Sequence, residues 1–327
     1  MPSSGHTPMF RSPFATLMEQ FVREKRASGY RYRAGAESLM RFDRFLADEA
    51  PGEETLSRPI VLRWLAKRTH ESPGNHAGRI TTARQFALFL CRLGHPAYVP
   101  DGSLGTRRRH DFLPRILTHA EVRKLLQAVD ELTPTALSPL RHLVMPEIFR
   151  LLCGCGFRVG ELLKLRAADV DLDRGMVTVR DAKFGKDRLV PPAPSLVARL
   201  RAYYAAIGAR SPDAFFFPSH QGGACRHGSV YVVFRQLLLR CGMAHGGRGK
   251  GPRLHDLRHT FAVHAMLRWY REGADLDAKL PVLATYLGHQ SLLGTQHYLH
   301  MTAELFPEVA ARADAAFGDV IPRRTAP

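Results

Sequence analysis

The chain has 327 residues, 45% hydrophobic and 24% charged, the balance of a folded globular protein rather than a disordered one. Lysine and arginine number 47 against 30 acidic residues, and the resulting +17 points to a polyanionic partner, most often nucleic acid, ahead of an ordinary basic or ribosome-associated protein. Nothing approaches the roughly eighteen consecutive apolar residues of a membrane span, and the first twenty residues hold no run of signal-peptide length. Five cysteines (Cys91, Cys153, Cys155, Cys225, Cys241) are an odd number and do not make a disulfide framework. Cys153 and Cys155 form a C-x-C inside an apolar run with no second pair at ligand spacing, which reads as buried thiols rather than a metal site. A cytoplasmic protein of two domains is expected.

Along the N-terminal half, Phe14, Leu17, Met18, Phe21 and Val22 recur at helical spacing until Ser28-Gly29 stops the helix. A second amphipathic segment runs from Ala34 to Ala47, with Leu39, Phe42, Phe45 and Leu46 on one stripe. Ser57-Arg58-Pro59 reads as an N-cap with an early proline, and a fourth helix is expected from His76 to Leu93, after Pro73-Gly74-Asn75. Four helices without strands predict a small bundle over residues 1–110, its polar faces carrying Arg31, Arg33, Arg79 and Arg84. Residues 96–114 hold Gly102, Gly105 and the run Arg107-Arg108-Arg109, the composition of an exposed linker able to lie along a phosphate backbone. A second domain is expected over 115–327.

That second half opens with capping-box spacing at Thr118 and Glu121. Pro139 to Cys155 is apolar enough to be a buried helix, with Pro146 marking a kink or the true start. A new helix begins at Arg158, where a guanidinium and free backbone N–H groups together suit an anion, and Arg158 and Glu161 share a face. Residues 176–180 and 188–191 read as a hairpin whose tip carries Lys183 and Lys186; residues 215–217 read as a short strand. Helices are expected over 194–207 and 229–241. Near the C-terminus His255 and Arg258 share a helical face, His289 follows a Leu-Gly turn, and Tyr298 comes nine residues later. Imidazole, guanidinium and phenol in that order suit a phosphate ester, because arginine matches phosphate oxygens in pairs and a tyrosine hydroxyl can attack phosphorus. A zinc helix built on His255 and His259 is disfavoured, since Asp256 replaces the expected glutamate and Arg258 would put a positive charge beside the metal.

The ordered boxes C-G-F-R-V-G-E-L (155–162), K-F-G-K-D-R (183–188), H-D-L-R-H (255–259), L-G-H (287–289) and Y-L-H (298–300) resemble those of the tyrosine recombinase (phage integrase) family. The resemblance implies a mainly α protein with a small β-sheet: an N-terminal four-helix core-binding (SAM-like) domain and a C-terminal α+β catalytic domain. It implies that Arg158 and Arg258 bind the scissile phosphate, Lys183 protonates the leaving 5′ oxygen, and His255 assists proton transfer. His289 would donate to a phosphate oxygen, Tyr298 would be the nucleophile, and Glu161 would orient its neighbours. Arg107, Arg108, Arg109 and Lys186 are candidate DNA contacts. No metal, ATP or other cofactor is implied.

The implied partners are double-stranded DNA and further copies of the chain in a tetramer on paired sites, with related recombinase subunits as a variant of that assembly. A helix over 302–317 would pack in cis or on a neighbouring protomer. The chain departs from the pattern at Gly160, in its hairpin length and in a long spacer between Arg258 and His289. Tyr286 is a rival nucleophile, disfavoured because it sits in an apolar helix with Leu280, Val282 and Leu283. A type IB topoisomerase and a catalytically silent DNA-binding accessory protein are the alternative readings. The simpler two-domain recombinases, in a nucleoid-associated setting, are the nearest comparison.

Overall fold

The computed structural model describes residues 10–105, 114–180, 187–208, 210–247 and 251–289, with 310–311 and 314–315. Arg107, Arg108, Arg109, Lys183, Lys186, Tyr298 and most of the expected 302–317 helix lie outside the described residues. The chain divides into two compact units, Met1–Phe112 and Leu113–Pro327.

The first unit holds α1 (Ala15–Ala27), α2 (Arg33–Glu49), α3 (Arg58–Leu65) and α4 (Pro73–Arg92). Their apolar stripes close on Met18, Phe21, Leu39, Phe42, Trp64, Phe86 and Leu90, all buried. The segment before α1 is tied to α2 by the buried Asp43 carboxylate, which accepts from the backbone N–H groups of Arg11 (2.8 Å) and Ser12 (2.9 Å). Helix α4 begins earlier than periodicity predicts. Ser72 accepts from the Asn75 N–H and Pro73 occupies the first turn, where its missing N–H costs nothing. Arg79, expected on a polar face, is instead buried. Its guanidinium donates to the carbonyls of Trp64 and Ala66 and forms an ion pair with Glu71 at 2.7 Å, so it braces the α3–α4 connection.

In the second unit α5 (His119–Asp130) starts with the expected Thr118–Glu121 capping box. Helix α6 (Arg141–Cys155) runs through Pro146 and begins five residues before it, so this proline is interior. Being apolar nearly all round, α6 is the central helix, packed against α5, α8 (Pro194–Ile207) and α10 (Leu254–Arg271). One turn, α7 (Val159–Leu162), follows. A three-stranded antiparallel sheet comes next: β1 (Val170–Asp171), β2 (Met176–Val179) and β3 (Arg188–Val190) in that order, with Val177 opposite Val190. The hairpin is the one read from the sequence; β1 is additional. Residues 215–217 are not a strand. They make a single bridge, Arg166 to Phe215, with Phe216 N–H donating to the Leu165 carbonyl at 2.8 Å. The apolar triplet is there to fill the core, where Phe216 and Phe217 are buried. The unit also holds helices α9 (His227–Arg240) and α11 (Leu276–Leu287). The long spacer is thus most of α10, a turn, and all of α11.

Candidate active site

Three chain reversals bring the site together. Helix α6 ends on Gly156 at φ +62°, in the left-handed region that glycine enters freely. A Cβ there would stand 2.5 Å from Phe261 Cδ1 and 3.0 Å from Leu287 Cδ2, so α10 and α11 also press on this turn. Arg158 then caps α7, and Glu161 sits one turn on. At the start of α10, Arg253 N–H donates to the buried Asp256 carboxylate at 2.8 Å, which turns Asp256 inward. Thr260, one turn later, accepts the Leu117 N–H at 3.0 Å and pins the entering chain to α10. Helix α11 ends on Gly288, φ +68°, and the next residue is His289.

A helix C-terminus leaves its last carbonyls without intrahelical donors and carries the negative end of the helix dipole. Here three consecutive carbonyls at the end of α11 each take an arginine. Tyr286 O accepts from Arg188 Nε (3.1 Å), Leu287 O from Arg258 Nη2 (2.7 Å) and Gly288 O from Arg158 Nη2 (2.9 Å). Arg258 Nη1 also donates to Gly156 O at 2.7 Å, so the buried Arg258 ties the end of α6 to the end of α11. Glu161 lies between two guanidiniums, with Arg158 Nη1 on Oε1 and Arg188 Nη2 on Oε2, each at 2.7 Å. Burial alone would raise its carboxyl pKa, but Arg188 and Arg158 outweigh that and the net shift is down.

The expected Arg158–Glu161 pair is therefore present, but Arg158 does not combine with helix N–H groups as a free anion site. Its fork is already directed by a carboxylate and a carbonyl. The structure brings Arg158, Glu161, His255, Arg258 and His289 together. His255 is held at a pKa of about 4 by desolvation, then by Arg258, Arg158 and Arg253. His289 is likewise held at about 4, by desolvation and then by Arg258, Arg158, His255 and Arg188. Both imidazoles are neutral at pH 7, able to accept a proton or donate one N–H. His259 packs edge-on against His255, ring centroids 4.7 Å apart.

Tyr286 is half-buried. Its ring stacks on Phe261 at 5.7 Å, and its hydroxyl lies beside the Cys155 thiol. Burial and Cys155 push its pKa above the ordinary tyrosine range, the opposite of what a nucleophile needs. Burial likewise pushes the Cys153 thiol up to about 12 and Cys155 to about 11, as inert thiols require. Sequence reasoning gave no role to Arg188, although it closes the K-F-G-K-D-R box.

The two histidines make stability depend on pH. Each titrates at about 4 in the folded chain against 6.5 for the free side chain, so between those values the unfolded state binds more protons. Stability is expected to fall as pH drops through that window, with the loss complete below it. Glu161, shifted downward, adds a further loss only below its own ordinary range. Thermal unfolding midpoints between pH 7 and 4 check this, and a His255→Gln/His289→Gln chain should show a shallower fall.

A family model described as "Phage integrase family" matches residues 115–304. A protein of Sinorhizobium fredii described as an integrase/recombinase, y4rB, is 31% identical over 318 residues, covering 94% of this chain and 99% of its own length. The tyrosine recombinase XerC of Xanthomonas campestris pv. campestris is 33% identical over 245 residues, 75% of this chain and 68% of its own. Among solved structures, the XerH site-specific recombinase bound to a palindromic difH substrate shares the fold at a TM-score of 0.62. It is 19% identical, covering 90% of this chain and 84% of that one. The fold is that of a tyrosine-type recombinase. The chain belongs to the phage integrase family, whose enzymes cleave and rejoin DNA. Among the described residues no helix is long and apolar enough to cross a membrane.

Proposed function

We propose that this chain is a site-specific recombinase that cuts and rejoins double-stranded DNA through a 3′-phosphotyrosine intermediate, using neither metal nor ATP. The observation that carries the reading is the convergence of Arg158, Arg258, His255 and His289 on the end of α11, with Glu161 orienting Arg158. Phosphoryl transfer gathers negative charge on the non-bridging oxygens, and fixed guanidiniums stabilise that charge without rearranging. Tyr298 Oη attacks phosphorus, the bond to the 5′ oxygen breaks, and Lys183 delivers the proton that oxygen needs. His255, neutral before reaction, takes up the tyrosine proton, and His289 donates its N–H to a phosphate oxygen. The covalent link keeps the ester energy, so attack by a 5′ hydroxyl on the phosphotyrosine reverses the step and reseals the strand.

Residues 1–110 serve as the core-binding domain, residues 96–114 as the linker with Arg107, Arg108 and Arg109 on the phosphate backbone, and 115–327 as the catalytic domain. Lys186 adds a backbone contact. The working assembly is a tetramer on paired sites, of this chain alone or with related recombinase subunits, at the nucleoid. The +17 charge supports a long DNA contact.

The test is covalent trapping on nicked suicide duplexes tiled across the DNA flanking the gene, in EDTA. A protease-sensitive, denaturant-resistant adduct supports the reading. Tight binding with no adduct would make the chain an accessory DNA-binding protein instead.

A further inference from the structure

We propose that Arg188 is a positioning residue for strand cleavage, setting the Arg158–Glu161 pair and the His289 turn against β3. The inference rests on the recombinase reading and adds a member to that site.

Arg188 is the first residue of β3, five positions after Lys183. Its side chain is 9% exposed and spans two elements: Nη2 holds Glu161 Oε2 at 2.7 Å, and Nε holds Tyr286 O at 3.1 Å. It also passes beneath the glycine turn, because a Cβ on Gly288 would meet Arg188 Cδ and Nη1, both at 3.1 Å. One planar fork thus fixes the separation of β3, α7 and the end of α11. A carboxylate between two guanidiniums divides its hydrogen bonding, so Arg188 also governs how much of Glu161 remains for Arg158. If Arg188 is lost, Arg158 can take both oxygens and swing away from the Gly288 carbonyl. Lysine cannot replace the fork, since a single ammonium lacks the rigid two-point geometry. Displacing a catalytic group by about 1 Å can cost on the order of 10²-fold in rate.

The experiment compares Arg188→Met and Arg188→Lys with the native full-length chain, by adduct formation on the tiled suicide duplexes and by NMR titration of the histidines. The charged groups influencing His289 are Arg258 and His255 on α10, Arg158 beside α7, and Arg188 on β3; Arg188 is not among those acting on His255. In Arg188→Met, adduct formation is expected to slow on the order of 10²-fold, with His289 titrating at higher pH and His255 moving less, since only the displaced Arg158 reaches it. In Arg188→Lys the charge remains, so His289 stays near its native midpoint while cleavage is still slow. General unfolding would carry both histidines to the free side-chain value of about 6.5, and that result overturns the proposal. Native-rate adduct formation by both variants also overturns it. A native chain that traps no DNA would overturn the recombinase reading, and with it the role in cleavage; the titration needs no DNA and still tests whether Arg188 sets the His289 turn.

Discussion

A Tyr298→Phe chain is expected to bind DNA as the native chain does and to form no covalent adduct with it. The change removes one oxygen and leaves the ring, so the groups that bind phosphate keep their places. On the proposed mechanism that oxygen is the atom that bonds to phosphorus, so its loss leaves the strand-transfer step without its nucleophile. A tyrosine phenol has a pKa of about 10 and attacks phosphorus only when a base or nearby cations help it ionise. Tyr286 cannot substitute. Burial and the neighbouring Cys155 raise its pKa, so it is poorly placed to ionise. Adduct surviving in Tyr298→Phe and vanishing in Tyr286→Phe would reverse the assignment. Gel-shift affinity on the same duplexes separates loss of chemistry from loss of binding.

Arg258→Lys is expected to damage both reaction and stability. Arg258 is 1% exposed and donates to two carbonyls from different helices. An ammonium cannot span Gly156 O and Leu287 O in the same plane, so at least one buried carbonyl loses its donor, at about 1–3 kcal/mol. The rate should fall on the order of 10²- to 10³-fold, the scale for losing one fixed donor to developing charge. Urea unfolding and single-turnover adduct formation measure the two effects. A native rate in this chain would remove Arg258 from the chemistry and leave it a brace. The arginines also differ in the free state. The Arg158 side chain is 25% exposed, whereas Arg258 is buried.

Most helices were legible because their apolar residues recur every three or four positions over more than ten residues. The start of α4 was not, since Pro73-Gly74-Asn75 has the composition of a breaker while Ser72 and Pro73 are a capped first turn. Arg79 looked like part of a solvated face because its acceptors include the Trp64 carbonyl fifteen residues away, and a carbonyl has no letter in a sequence. The same blindness hid Arg188, whose contact with the Tyr286 carbonyl spans 98 positions. His255, Arg258 and His289 could be named from their motifs. Their neutral imidazoles and shared acceptors depend on burial and on α11, which local spacing does not encode.

The row of carbonyls at the end of α11 makes this chain unequally tolerant of changes in length. Each inserted residue turns a helix by about 100°, so one extra residue between Leu283 and Gly288 would carry Tyr286 O, Leu287 O and Gly288 O away from three different side chains at once. Residues added in the turn at Glu272–Ala274 lie upstream of that register and cost only the slow logarithmic entropy of a longer loop. Related chains can therefore diverge freely in the spacer while the last turn of the helix stays fixed in length. An alignment that places gaps there should put them before Asp275, where the cap of α11 restarts the count.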